Sequence, residues 1–234
     1  MNKIEFDEIK ETIEASGIEN MIAEQTINHS SLQTINHSSL IVSFVPDIWK
    51  KDFRSHGFTV YAQYHDYWID KLTSPGSAYG GFDFLREEDC GIASEISVAC
   101  RGQSRGFEGE PPEWFADWLR GEDGMNNSVV LVRRINNRIV GISCTATYAH
   151  DSEKGAVVWV RMLAVHPDFQ GRGIGKNLLL QTLQYGVEHG AKRAFLHADV
   201  ENTGAIRIYT NAGFTSRGGE GQIDMIWGKR KWIT

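Results

Sequence analysis

The run Gln170-Gly171-Arg172-Gly173-Ile174-Gly175-Lys176 sets glycines at alternate positions just ahead of a helix-like stretch, a pattern that can bind phosphate. The first turn of a helix carries N–H groups without intrahelical partners at the positive end of its dipole, and glycines let a diphosphate come close to that backbone. Side chains at Gly173 or Gly175 would obstruct the approach. Glycines also serve purely structural turns, so the loop alone leaves both readings open. Its spacing excludes the familiar nucleotide loops: Gly171, Gly173 and Gly175 read G-x-G-x-G rather than G-x-G-x-x-G, and no G-x-x-x-x-G-K-[ST] occurs.

The loop follows a strand-like run from Val157 to Val165, stopped by His166-Pro167, and a second helix further on carries Asn202, Ala205, Tyr209, Gly213 and Phe214. Gln170, Gly173 and Gly175 match the Q/R-x-x-G-x-G/A loop of the GNAT superfamily of acyl-CoA N-acyltransferases. The second set reproduces that family's N-x-x-A-x-x-x-Y-x-x-x-G-F pattern. The chain thus resembles the family over about Gly80 to Thr234.

The resemblance implies an α+β fold, with a mixed, mainly antiparallel central sheet flanked by helices. It implies acetyl-CoA as co-substrate, held by Gln170, Gly171, Arg172, Gly173, Ile174, Gly175, Lys176 and Asn202. The pantetheine arm would run along the backbone of Leu163, Ala164 and Val165, and no metal is expected. The implied reaction is direct attack on the acetyl thioester by a neutral primary amine of a small molecule or peptide. A backbone N–H near Leu163 would stabilise the oxyanion, and Tyr209 would act as general acid toward the departing thiolate. The structural alternative for Tyr209 is a half-buried helix tyrosine whose hydroxyl bonds a carbonyl. The functional alternative for the chain is a non-catalytic acyl-CoA-binding sensor or interaction module; an intact loop together with the tyrosine favours turnover.

An alkylammonium acceptor must lose a proton before it attacks, which calls for a base. Candidates lie in the acidic stretch after Arg101, with Glu108, Glu110, Glu113, Asp117, Glu122 and Asp123, and in Asp199 and Glu201. Such carboxylates ordinarily form a solvated face that complements a helix start. The sequence singles none of them out.

At 234 residues the chain can bury a substantial core without staples. A net charge of -6 with scattered basic residues argues against nucleic acid as a partner. Cys90, Cys100 and Cys144 form no C-x-x-C pair, so reduced thiols are expected rather than a disulfide framework or a zinc site. The acidic start, from Met1 to Glu8, and the lack of a long apolar run make a cytoplasmic protein without a membrane segment the expectation. A homodimer is left open.

The elements that must position these groups divide into an N-terminal accessory region, 1–79, and a transferase domain, 80–234. Residues 25–40 repeat the octapeptide QTINHSSL in tandem, read as a polar surface loop. Ile4, Ile9 and Ile13 mark an amphipathic helix, and Leu40 to Val45 a strand. Pro46 to His56 followed by Gly57-Phe58-Thr59 echoes Ile206 to Gly213, Phe214 and Thr215, with Phe53 in the place of Tyr209. A phenyl ring donates no proton, so the echo is expected to be at most a truncated, non-catalytic half, the favoured alternative being simply helix, turn and strand. Thr73 to Gly81 reads as a linker and Phe82 to Arg86 as a strand. Asp89 is expected to cap a helix reaching about Cys100, and Pro111 to Leu119 forms the next helix. Asn136-Asn137 turns a hairpin. After the glycine loop, Leu179, Thr182, Leu183 and Val187 mark a buried helix stripe ending at Gly190, and a strand spans Arg193 to Val200.

Overall fold

A computed structural model of the chain describes residues 3–16, 32–35, 39–76, 82–105, 107–121, 125–217 and 222–228. Two compact units divide the chain, Met1–His65 with Gly218–Thr234, and Asp66–Arg217.

The first unit contains helix α1 (Lys3–Ser16), strands β1 (Leu32–Ile35) and β2 (Ser39–Pro46), and helix α2 (Lys50–Ser55). Strand β3 (Thr59–Ile69) begins in it, and strand β9 (Gln222–Gly228) closes it. The strands run antiparallel in the order β1-β2-β9-β3. Ile9 and Ile13 of α1 are buried with Leu40, Val42, Val45, Phe53 and Phe58, so the amphipathic reading of this helix holds. The second octapeptide copy is not a loop: Gln33, Thr34 and Ile35 lie in β1, while Ser39 and Leu40 open β2, in register Ile35 against Ser39. Its Thr-Ile alternation suits a strand once a partner is available. Residues 25–31 of the first copy, His29 among them, and His37 lie outside the described residues, as do the residues of the expected linker after Gly76.

The helix ends at Phe53 and Tyr209 share one local geometry, which a plain helix, turn and strand also produces. Phe58 N–H donates to the Phe53 carbonyl at 3.1 Å, and Phe214 N–H to the Tyr209 carbonyl at 3.1 Å. Gly57 (φ 88°) and Gly213 (φ 97°) both adopt the left-handed conformation that closes such a helix end. Each ring meets its following phenylalanine edge-on.

The second unit has strand order β3-β7-β6-β5-β4, with β8 (Thr215–Ser216) on the end of β3. Strands β4 (Asn126–Ile135) and β5 (Arg138–Tyr148) form the expected hairpin, with Asn136 and Asn137 at φ 50° and 62°. Strand β6 (Ala156–Val165) runs antiparallel to β5. Helix α5 (Ile174–Glu188) then crosses over to β7 (Ala191–Asp199), which is parallel to β6. Helix α6 (Thr203–Asn211) follows.

Helices α3 (Cys90–Ala99) and α4 (Pro112–Arg120) pack on one face of this sheet against Ile142, Cys144, Ala146, Met162 and Ala164. Helix α5 packs on the other face against Val158 and Val160, with Leu179 and Leu183 among the buried contacts. This is the mixed, mainly antiparallel sheet flanked by helices that was anticipated. Helix α4 starts on Pro112 and ends on left-handed Gly121, and its Trp114 and Trp118 stack at 5.5 Å between ring centroids.

Two local readings fail. Phe82 to Arg86 forms no strand but a single bridge, Phe84 to Leu131, because only Asp83 and Leu85 exchange backbone bonds with β4 before an acidic 3₁₀ turn takes over. Asp89 precedes α3 without capping it, since its carboxylate accepts from Arg134 Nη2 at 2.9 Å instead.

Close packing of α5 rests on Gly186, where a Cβ would sit 2.5 Å from Val158 Cβ. Gly186→Ala is therefore expected to cost about 1–3 kcal/mol through overpacking. Urea unfolding should show a lower midpoint at unchanged slope, and an unchanged midpoint would contradict the contact. The three cysteines are free and buried, as expected for reduced thiols. Among the described residues no helix is long and apolar enough to cross a membrane.

Candidate active site

Strands β6 and β7 part company part-way along their length. Their pairing runs from Ala156 against Ala191 to Trp159 against Phe195 and ends there, although β6 continues to Val165 and β7 to Asp199. On its other edge β6 stays paired with β5 as far as Val165 against Gly141. A bulge accompanies the parting: Cys144 faces Met162 and Thr145 faces Val160, which leaves Arg161 as the extra residue. His166 N–H donates to the Val140 carbonyl, so by ladder alternation the backbone groups of Ala164 serve β5, while those of Leu163 and Val165 face away from it. The Val165 carbonyl is already engaged, accepting from Gln170 Nε2 at 2.8 Å and Cys100 Sγ at 3.2 Å.

The glycine loop lies directly beyond that strand end. Pro167–Phe169 makes one 3₁₀ turn, and Gly173 stands at the N-cap of α5 at φ 76° with no side chain capping the helix. A Cβ placed on Gly171 or Gly173 would meet nothing within 4 Å, so the space beside both is open. The first-turn N–H groups of α5 therefore face a clear approach. Ile174 turns its side chain into the core and can offer only its backbone. Gln170 also donates to Gln103 Oε1 at 3.0 Å and so ties the loop to the segment between α3 and α4. Arg172 lies over the Phe169 ring and donates to the Asp168 carbonyl, and Lys176 is exposed.

Tyr209 on α6 is 9% exposed, in the cluster that holds Val158, Val160, Leu196 and Ala198. Burial pushes its hydroxyl up to about 12. Among the described residues no group hydrogen-bonds that hydroxyl, and its oxygen is not sealed from solvent. The satisfied structural tyrosine is thus not what is seen. Asn202 caps α6, its Oδ1 accepting from Ala205 N–H at 3.2 Å.

The carboxylates separate sharply. Asp199 is 2% exposed and gripped by Arg105, whose backbone N–H, Nε and Nη2 all donate to it, the last at 2.5 Å; Glu201 N–H adds a further bond. Burial alone would raise its carboxyl, but these donors hold it below the usual carboxylate range. Asp199 is therefore an anchor for the segment after α3 and not a base. Glu201 is exposed and pairs with Arg105 Nη1. In the acidic stretch, Glu108 and Glu113 are exposed, Asp117 pairs with Arg120, and Glu122 and Asp123 lie outside the described residues. Glu110 alone among the described members is raised, by burial, with Arg161 opposing at 3.8 Å. Ser94 and Ser97 hydroxyls donate to its carbonyl.

Arg105→Ala removes the cation from a carboxylate with a 1% exposed side chain, which is expected to cost about 3 kcal/mol at pH 7. Because the folded Asp199 titrates low, its stabilisation is present above the ordinary carboxylate range and is lost as pH falls through the depressed value. The parent and variant should differ most at neutral pH and converge as pH falls through the depressed Asp199 value; urea melts at neutral and acid pH check this, and a pH-independent difference would contradict it.

The model of the acetyltransferase (GNAT) family matches residues 93–214, just over half of the chain, from within α3 to beyond the end of α6. The chain belongs to this family. An uncharacterized N-acetyltransferase of Methanocaldococcus jannaschii is 35% identical over 107 residues, which cover 44% of this chain and 45% of the relative. A mycothiol acetyltransferase of Pseudarthrobacter chlorophenolicus is 30% identical over 94 residues, covering 40% of this chain and 28% of the relative. The chain thus spans less than half the length of the curated relatives it matches. A solved GCN5-related N-acetyltransferase from Sphaerobacter thermophilus shares the fold at TM-score 0.62 and 17% identity, covering 96% of this chain and 69% of that one.

Within the GNAT frame, the loop and the tyrosine were legible in sequence. Arg105, Arg161, His197 and Asp66 were not. His197 stands two residues before Asp199 on the strand that follows the loop helix, and that spacing was the one available signal.

Proposed function

We propose that this protein is an N-acetyltransferase that moves the acetyl group of acetyl-CoA onto a primary amine of a small molecule or peptide. The parting of β6 from β7, flanked by an uncapped glycine loop and an unbonded tyrosine hydroxyl, is the observation that carries this reading. Acetyl-CoA supplies an activated thioester. Its diphosphate fits the N–H groups between Gly171 and Lys176, where the open space at Gly171 and Gly173 admits it. Gln170 and Asn202 hold the loop and α6 in place around it, through the Val165 carbonyl and the Ala205 N–H.

The pantetheine arm is expected along β6 at Leu163 and Val165. Ala164 spends its backbone groups on β5, and Val165 has its N–H left to offer, since its carbonyl is taken. An N–H beside Leu163 stabilises the oxyanion, with the desolvated strand edge making that donor effective. Tyr209 then donates to the departing sulfur. Its hydroxyl stays protonated at neutral pH, and burial would raise a thiol leaving beside it as well, which offsets the widening that the raised hydroxyl alone would cause.

A panel of primary amines, assayed for thiol release from acetyl-CoA, tests the proposal. Release with at least one amine is the expected result. Binding of acetyl-CoA without release across the panel would sink it in favour of an acyl-CoA sensor.

A further inference from the structure

Strand alternation gives the parted section of β7 two chemically different faces. Ala194, Leu196 and Ala198 turn into the cluster that holds Tyr209. Phe195, His197 and Asp199 turn to the opposite face. His197 stands two residues past Phe195, the last residue of β7 paired with β6, and thus within the parted stretch. Its Nδ1 lies 2.8 Å from Asp66 Oδ1, and its ring meets Phe195 edge-on at 4.6 Å between centroids.

Asp66 Oδ1 is fully buried and meets no well-aligned hydrogen-bond donor among the described residues, so His197 Nδ1 approaches it at ion-pair distance. A carboxylate only accepts, so the imidazole proton belongs on Nδ1, which leaves the Nε2 lone pair available. The histidine side chain keeps 34% of its surface exposed, against 22% for Asp66. A carboxylate that fixes the tautomer of a half-exposed imidazole beside a strand opening is an arrangement for taking a proton.

Resting on the acetyltransfer reading, we propose that His197 is the base that deprotonates the acceptor ammonium, with Asp66 as the residue that positions it. Acid and base then stand on opposite faces of the sheet, with the reacting carbonyl between them. The acceptor ammonium gives one proton to Nε2, and the freed nitrogen pair forms the new C–N bond. Collapse breaks the C–S bond, and the sulfur takes the Tyr209 proton. The second proton lost from nitrogen restores Tyr209 through solvent, and the imidazolium releases its own to water. An ammonium and a thioester thus give an amide, a thiol and one proton.

The charged groups around the imidazole fit this role. Burial holds His197 below its ordinary value, Asp66 on β3 opposes that, and Arg161 on β6 adds to it. Arg161 is itself stacked on Trp114 and Trp159 and faces Glu110. On the same strand, Asp199 is neutralised by Arg105, and Arg193 lies over Trp68. The imidazole is therefore neutral at pH 7 and ready to accept a proton.

The test is the pH dependence of kcat/KM for the parent, His197→Gln, Asp66→Asn and Glu110→Gln, using an amine found in the panel. Acetyl-CoA affinity is measured by calorimetry alongside. His197→Gln is expected to lose about a hundredfold at pH 7 and to lose the acid limb, with acetyl-CoA affinity unchanged. Asp66→Asn should lose less and move the acid limb to lower pH, because the carboxylate no longer supports the imidazolium. Glu110→Gln should leave the limb in place. An active parent whose acid limb survives in His197→Gln, or disappears in Glu110→Gln instead, overturns the assignment of the base alone. A parent that binds acetyl-CoA but acetylates no amine overturns the acetyltransfer reading, and the base with it.

Discussion

Tyr209→Phe is expected to lower turnover about a hundredfold while leaving acetyl-CoA affinity within about twofold. The ring fills the same space in either protein: it is 9% exposed and lies edge-on to Phe214, and neither contact needs the hydroxyl. Among the described residues that hydroxyl makes no hydrogen bond, so its removal leaves no buried partner unsatisfied and should shift the melting temperature little. On the proposed acetyltransfer reading, what is lost is the proton donor to the departing sulfur. With the hydroxyl pushed up to about 12, Tyr209 stays protonated throughout pH 6 to 9 and contributes no limb of its own to the parent profile there. The loss in the variant should therefore be nearly uniform across that range. A folded Tyr209→Phe enzyme that turns over its best amine at the parent rate across pH 6 to 9 would make the tyrosine structural, and the acid would have to be another group or water.

Gly173→Glu is expected to weaken acetyl-CoA binding at least a hundredfold. Three effects act together at this position. The backbone is left-handed at φ 76°, which costs a non-glycine residue about 1 kcal/mol. The side chain enters the open space that the proposed binding mode gives to the diphosphate. Its charge then repels that diphosphate at the uncapped start of α5. Gly173→Ala carries the strain and little of the rest, so the comparison separates backbone from charge. Calorimetry on the two folded variants should find the glutamate variant far the weaker; equal affinities for Gly173→Glu and the parent would remove the loop from the binding site.

Much of the second unit could be read from local pattern, because its signals are local in origin. The Asn136-Asn137 turn, Pro112 at the start of α4 and the glycine stop after α5 act through backbone conformations that each residue prefers by itself. Readings failed where a partner outside the segment decided the outcome. Asp89 could cap α3, but Arg134 from β4 outbids the helix N–H groups for its carboxylate. The polar octapeptide could remain a loop, yet Gln33, Thr34 and Ile35 of its second copy join a ladder with Ile41, Leu40 and Ser39. The acidic stretch looked uniform until burial beside Arg161 distinguished Glu110 from the exposed Glu108 and Glu113.

The sequence by itself determined the family, the glycine loop and the tyrosine, since each depends on residues that are neighbours along the chain. Only the tertiary structure decided which strands part, which carbonyl is already engaged, and which carboxylates meet a cation. The bulge at Arg161 and the end of pairing at Phe195 are properties of strand pairs, and strand register has no signature within a single strand. Asp199 became an anchor, and His197 a candidate base, when the fold brought Arg105 to one and Asp66 to the other. The charge and tautomer of a buried group are set by the dielectric and the partners that surround it in space, and these exist only once distant segments have packed.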